Sequence, residues 1–305
     1  MNRYDELIQT AGRYGCQVYE NEPMSKRTTF RIGGPADVLI EAHTQKAAAG
    51  LIALCREREL PLFFLGNGSD LLVPDEGLRG VVLHLTGEFR QISQLEDGRI
   101  LCGAGATLAR LCKFAQQNVL TGLEFAWGIP GSAGGAAYVN AGAYGGEMKD
   151  VLAACRHITR SGQTGRLEGD ALQMGYRRSA YTENGHLITA LEISLQKGDA
   201  GSIAARMEEL MERREQKQPL EYPSAGSVFK RPAGHFAGGL IEQCGLKGTR
   251  VGGAVVSPKH AGFIVNDGGA TSNDVRQLIE LIQQTVLRET GVQLECEIKI
   301  LSPKG

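Results

Sequence analysis

At 305 residues, with 42% hydrophobic and 22% charged content, the chain is long enough to bury two or three cores, which excludes a single small domain. A net charge of −1 offers no basic excess for nucleic acid, and no run of about 18 apolar residues is present to span a bilayer. The charged opening MNRYDELIQTAGRYG lacks the apolar stretch of a signal peptide, so a cytoplasmic location is expected. Seven cysteines, scattered singly with no CxxC pair, suit a reducing compartment and argue against a zinc site.

In chain order, Tyr4 to Arg13 reads as a short helix, and the turn Gly33-Gly34-Pro35 leads into an apolar strand from Val38 to Ala42. Thr44 is placed to cap a helix over Gln45 to Glu59, with Ala48, Leu51, Ile52 and Cys55 at helical spacing, before the buried strand Leu62 to Leu65. The Gly66-Asn67-Gly68-Ser69 turn that follows is not a dinucleotide fingerprint: a third glycine is missing, and Pro74 stands where the helix should run. Its main-chain amides and the Ser69 hydroxyl are nonetheless suited to wrap a pyrophosphate; the plainer alternative is a strand-to-turn junction. Strands are expected at Gly80 to Leu85 and Ile100 to Gly103. A second glycine-rich turn then opens a helix from Leu108 to Asn118.

Residues Gly122 to Met148 read GLEFAWGIPGSAGGAAYVNAGAYGGEM, which is neither an amphipathic helix nor an alternating strand. Glycine lets main-chain N–H groups approach a flat or anionic ligand, while Leu123, Phe125, Trp127, Ile129, Tyr138, Val139 and Tyr144 speak against a disordered linker. Tight turns are expected at Ile129-Pro130-Gly131 and Gly134-Gly135. Beyond lie a strand from Val151 to Ile158, a hairpin through Ser161 to Gly165, a short helix around Ala171 to Met174 and a strand from Leu187 to Leu195. Gly198 to Gly201 mark a boundary before a charged helix, Ile203 to Gln216. Pro223 to Pro232 reads as a loop, followed by a helix start at Ala237 to Cys244. The last helix is capped at Ser272 or Asn273, buries Val275, Leu278, Ile279, Ile282 and Val286, and stops at Gly291; a strand from Gln293 to Leu301 closes the chain.

Several side chains stand out against this frame. Arg177 and Arg178 are adjacent, an arrangement usual for a solvated pair. Ser227 has no evident histidine base and no G-x-S-x-G elbow, so a hydrolase is disfavoured. Glu295 and Glu297 share a face if the terminal segment is extended. Arg213 and Lys217 on the charged helix suit a diphosphate as well as they suit a solvated surface, and Lys230, Gln243, His260 and Asn266 are weaker candidates. His260 has no second histidine at ligand spacing, so no metal is assigned.

The run GIPGSAGGAAYVNAGAYGGE resembles the flavin-contacting segment of the UDP-N-acetylenolpyruvoylglucosamine reductases, and the resemblance extends from Thr28 to about Ile300. It implies an α+β protein: a two-lobed FAD-binding part of the vanillyl-alcohol-oxidase (PCMH) type over residues 1–196, its lobes split near residue 86 with the C-terminal strand added to the first of them, and a substrate-binding domain over 200–305. It implies non-covalent FAD near Gly66, Asn67, Gly68, Ser69, Gly131, Ser132, Gly134, Gly135, Asn140 and Gly142; neither loop offers a Cys or His to tether a flavin. The family usually carries Asn where this chain has Asp70, which adds a carboxylate near the phosphates.

By the same resemblance, the Tyr-Arg-x-Ser element at Tyr176 to Ser179 makes Arg177 the partner of the substrate carboxylate. Ser227 becomes the proton donor and Glu297 the catalytic carboxylate, with Glu295 the alternative. Arg213, Lys217 and Lys230 are the substrate-binding candidates. NADPH is the implied hydride donor, UDP-N-acetylglucosamine enolpyruvate the acceptor, and a monomer the expected state. No long insertion follows Tyr176, so the chain is similar to the shorter, type II subgroup, which lacks a tyrosine-bearing substrate loop. The rival readings are a flavin oxidase or dehydrogenase on the same scaffold, and a colourless nucleotide-sugar binding protein.

Overall fold

The computed structural model describes residues 3–303, which fold into two compact units. Among these residues the first comprises 3–20, 38–67 and 80–213; the second comprises 21–37, 68–79 and 214–303. This differs from a division at 196–200, and the reason lies in burial. Phe30, Ile32 and Leu72 belong to the same core as Val228, Ile241, Ile282 and Leu294, so two early segments are part of the C-terminal unit. Lys299–Ile300 pairs in parallel with Leu71–Leu72, which lies in one of those segments. The boundary near residue 213 falls inside the helix Ala200–Lys217 and not at the glycines before it.

In the first unit, Leu62–Leu65 pairs in parallel with Val81 to His84, and the helix Gln45–Glu57 precedes this pair, capped by Thr44 Oγ1 on the N–H of Ala47 at 3.2 Å. A second, antiparallel sheet orders its strands Thr164–Glu168, Leu152–Ile158, Leu187–Ile193, Ile100–Gly103 and Ile92–Gln94. The strands of the two sheets fall before and after residue 86, and one apolar core unites them. Cys55, Cys102, Cys112 and Cys155 are buried in that core, where desolvation pushes each thiol up to about 12 and leaves it inert. Glu192, 2% exposed, anchors Arg166, Arg156 and Arg99 on the antiparallel sheet, with contacts of 2.9, 3.0 and 2.7 Å.

The glycine-rich stretch is more ordered than its composition suggests. Ser132 Oγ accepts the N–H of Gly135 at 3.2 Å and starts a short helix, Ala133–Tyr138, so Gly134-Gly135 is helical and not a turn. Small residues are needed there because the helix lies against the second glycine-rich turn: a Cβ on Gly134 would meet Ala104 Cβ at 2.7 Å. Gly142–Ala143 and Gly146–Glu147 then form a small hairpin.

In the second unit, an antiparallel sheet of Ser224–Ser227, Phe263–Asn266, Ala254–Val256 and Arg250–Val251 shares a core with the helices Ala237–Gln243 and Ser272–Thr290. The long helix is capped by Thr271, one residue before the expected cap, through a reciprocal box with Asp274. Asp75 also accepts the N–H groups of Ser272 and Asn273, at 2.8 and 3.0 Å. Negative charge at this positive helix end adds to its stability. All five apolar residues expected on its inner face are buried, and Gly291 ends it in a left-handed turn.

Candidate active site

In the first unit, two of the loops expected to face a cofactor converge. A Cβ on Gly66 would fall 2.6 Å from Ser132 Oγ, and Asn67 Nδ2 donates to the Pro130 carbonyl. Three amides of the second loop are already used. Ala133 N–H donates to Ala106 O (2.7 Å), Gly134 N–H to Ala104 O (2.8 Å) and Gly135 N–H to Ser132 Oγ, so these three serve the fold. Through these bonds the Gly134 and Gly135 amides hold the loop's shape. Gly142 lies in the hairpin, where a Cβ would strike Glu147.

Asn140 is fully buried and its carboxamide is committed: Nδ2 donates to Glu147 Oε2 (2.6 Å) and Gly175 O (3.0 Å), and Oδ1 accepts from Lys149 N–H (2.9 Å). The side chain expected to meet the cofactor thus reaches the segment that carries Arg177. Gly175 and Arg178 close that segment with reciprocal main-chain bonds of 3.0 and 3.2 Å. Arg177 inside it has φ of +55°, a conformation that costs a residue with a Cβ on the order of 1 kcal/mol. Its guanidinium lies 5.2 Å from the ring centre of the exposed Tyr176. Ser179 starts the next helix and donates its hydroxyl to Tyr138 O at 2.7 Å.

In the second unit, residues 224–230 are not simply a loop. Ser224 pairs with Val265 and Ser227 with Phe263, so one extra residue is accommodated between them and Gly226 takes it up at φ +79°. Such a bulge re-aims the side chain that follows. Ser227 is half-buried, with Oγ donating to Phe229 O at 3.2 Å. The chain then runs antiparallel to residues 295–297: Lys230 N–H donates to Glu295 O (2.8 Å), Glu297 N–H to Val228 O (2.7 Å), and Phe229 bridges Cys296. Ser227, Lys230 and Glu297 are thereby brought onto two adjoining segments. The terminal stretch is paired only there and at Lys299–Ile300, so it is not the continuous strand expected from Gln293 to Leu301.

The two glutamates differ in setting. Glu295 has a side chain 72% exposed and pairs with Lys230 Nζ at 3.2 Å, whereas Glu297 is half-buried. Val228 N–H donates to Gly262 O, and Gly262 N–H donates to His260 Nδ1 (3.1 Å), which assigns the proton of a neutral ring to Nε2; burial lowers the His260 pKa. Asp70 is half-buried, and burial raises its carboxyl pKa while the Lys299 charge opposes the rise.

The candidates on the charged helix are rearranged. Arg213 is exposed and paired with Glu209 at 2.7 Å, and Lys217 is exposed. The neighbouring Arg214, not singled out by the sequence, is 6% exposed in the second unit, with Nη1 donating to Gln218 Oε1 at 3.1 Å. The helix period was the available signal, since 207, 210 and 214 lie on one inward stripe. Gln243 lies at the end of its helix, and Asn266 is buried with Nδ2 on Phe30 O and Oδ1 accepting from Gly268 and Ala270, a structural role.

Residues 36–168 match the model of an FAD binding domain, which places the converging glycine-rich loops in a flavoprotein scaffold. Residues 218–301 match the C-terminal domain of UDP-N-acetylenolpyruvoylglucosamine reductase. The chain is 49% identical over 281 residues to the enzyme of that name from Listeria monocytogenes, covering 92% of this chain and 94% of the relative. It is 45% identical over 300 residues to that of Geobacillus thermodenitrificans, covering 98% and 97%. The crystal structure of UDP-N-acetylenolpyruvylglucosamine reductase from Thermus caldophilus is similar at a TM-score of 0.82 and 36% identity, over 94% of this chain and all of that one. The chain belongs to the UDP-N-acetylenolpyruvoylglucosamine reductase family.

Proposed function

We propose that this chain catalyses the NADPH-dependent reduction of the enolpyruvyl group of UDP-N-acetylglucosamine enolpyruvate to the lactyl ether of UDP-N-acetylmuramate, a step in making peptidoglycan precursors. The convergence of Gly66–Asn67 with Pro130–Ser132 suits a phosphate-bearing cofactor, and the chain belongs to a family of flavin reductases. FAD bound there would supply the hydride chemistry that links NADPH to C3 of the enolpyruvyl group. Gly66 to Ser69, Gly131 and Ser132 would hold it without a covalent bond.

Hydride arriving at C3 places negative charge on C2 and the carboxylate. Arg177 offers a planar fork that binds a carboxylate in two places. Glu297 and Arg177 steady the enol form, and Ser227 delivers the proton to C2. Lys217 and Lys230 serve the diphosphate; Arg213 is already matched by Glu209 and contributes least. The observation that carries this reading is the pairing of Val228 and Lys230 with Glu297 and Glu295, which brings Ser227 and Glu297 onto adjoining segments of one unit. The enzyme acts as a cytoplasmic monomer in this reading.

The test is spectroscopic. The purified protein should be yellow, release its colour on acid precipitation, bleach with NADPH under anaerobic conditions, and regain the colour with the enolpyruvyl nucleotide sugar. Recovery only with oxygen or with an alcohol-derived acceptor would make it an oxidase or dehydrogenase. A colourless protein would leave a binding role.

A further inference from the structure

Arg177, half-buried, sits in a left-handed conformation on its turn, and both ends of that turn are tied to the segment Tyr138 to Asn140. At the first end, the Asn140 carboxamide donates to Gly175 O at 3.0 Å; at the other, Ser179 Oγ donates to Tyr138 O at 2.7 Å. Asn140 has no rotational freedom. Its second amide hydrogen is taken by Glu147 Oε2, its oxygen by Lys149 N–H, and Glu147 is fixed in turn by a capping box with Asp150.

We propose that Asn140 is a positioning residue for the substrate carboxylate: with Ser179 it clamps the Gly175–Ser179 turn and so holds Arg177 in place. This rests on the reading of Arg177 as the carboxylate partner. The chemistry selects asparagine, because the position must donate twice and accept once in a dry site. Aspartate would lose both donations and set a second carboxylate against Glu147, and glutamine would be one methylene too long. Asn140 itself is left-handed at φ +47°, which asparagine tolerates better than most residues. With the clamp removed, only the reciprocal Gly175–Arg178 main-chain bonds hold the turn, and Arg177 relaxes more readily towards a right-handed φ that swings its side chain out of register.

The test uses the flavin-loaded enzyme carrying Asn140→Gly, which accepts the same φ but drops the carboxamide, and Ser179→Ala, each alone and combined with Arg177→Ala. Calorimetric titration of the oxidised protein with the enolpyruvyl nucleotide sugar gives the Kd, and anaerobic reoxidation of the NADPH-reduced protein gives the rate. Each single clamp variant should weaken the Kd and slow reoxidation about tenfold, the scale of one lost buried hydrogen bond. Neither should add to the effect of Arg177→Ala, because both act through that side chain. A normal Kd and rate for Asn140→Gly, or full additivity with Arg177→Ala, overturns the proposal. Loss of flavin from Asn140→Gly alone would return Asn140 to cofactor binding and also overturn it. An Arg177→Ala enzyme of normal Kd and rate sinks the carboxylate reading first, and the clamp with it. If Asn140→Gly does not fold, Ser179→Ala puts the same question at the other end of the turn.

Discussion

Ser227 and Arg177 are held in opposite ways. Ser227 follows a glycine bulge in a ladder whose bonds are all main chain: Val228 to Gly262 and Glu297, Lys230 to Glu295. Arg177 stands on a turn whose ends are fixed by side chains, Asn140 and Ser179. A backbone-held position should survive replacement of its own side chain with its neighbours undisturbed, whereas a side-chain-held one is exposed to substitutions elsewhere. Mutation should therefore separate chemistry from architecture cleanly at Ser227 and less cleanly at Arg177.

The largest expected effect is at Ser227. Ser227→Ala should bleach with NADPH at a near-normal rate but reoxidise with the enolpyruvyl substrate ~10²–10⁴-fold more slowly, the usual loss for a general acid. Rapid-mixing absorbance at the flavin band follows both steps. Equal slowing of both would mean that the hydroxyl, which donates to Phe229 O, shapes the loop after all. Next is Arg177→Lys, which keeps the charge but loses the fork. Reoxidation should slow by roughly ten- to a thousandfold, from about 1.5–3 kcal/mol for a charge-assisted bond plus lost geometry. A fully active Lys enzyme would make the residue one of a solvated arginine pair.

How far the sequence disclosed this contrast follows from the kind of signal each part leaves. The long helices were legible because apolar spacing and caps are local, and Thr44 and Gly291 act as read. The strand Ser224–Ser227 was not, since Ser-Ala-Gly-Ser has little β propensity and pairs only because Phe263–Asn266 lies beside it. In the terminal segment Leu294 and Ile298 are buried and Cys296 half-buried, on the side opposite Glu295 and Glu297. The number of paired residues, however, depends on partners some 70 and 230 positions away. At Asn140 the family resemblance pointed to the flavin, and sequence spacing could not reveal that every hydrogen-bonding group of this buried carboxamide is taken up within the chain. The Thr271 cap was missed by one residue because Ser and Asn are equally good caps and Asp75, far upstream, takes their N–H groups.

The smallest effect near neutrality concerns Glu192, another point where side chains hold the first unit together. The hydrogen bond from Arg166 is the main cause of its pKa falling from 4.5 to about 2, with burial opposing and Arg156 assisting. A lowered carboxyl pKa contributes stability that is complete above the unfolded value and lost as pH falls through the folded one. The thermal midpoint and the hydrogen-exchange protection of Leu187–Ile193 should therefore hold steady from pH 7 to about pH 5 and decline between about pH 4.5 and pH 2. Glu192→Gln should flatten that acid limb; an unchanged limb would show that the arginine cluster adds nothing measurable.

Asp75 at the start of the last long helix carries a consequence for how the protein is made. The carboxylate and the N–H groups that it caps are 197 residues apart, and Phe30, Ile32 and Leu72 wait for the same C-terminal partners. At about 5–20 residues per second, a ribosome needs on the order of 10–40 s to deliver the helix after the segment that caps it. Throughout that interval the nascent chain displays apolar side chains whose burial has not yet been synthesised. The second unit, assembled from three stretches of sequence, is thus completed only once the last of them has been made, and its early segments are the natural clients of whatever shields hydrophobic surface at the exit tunnel.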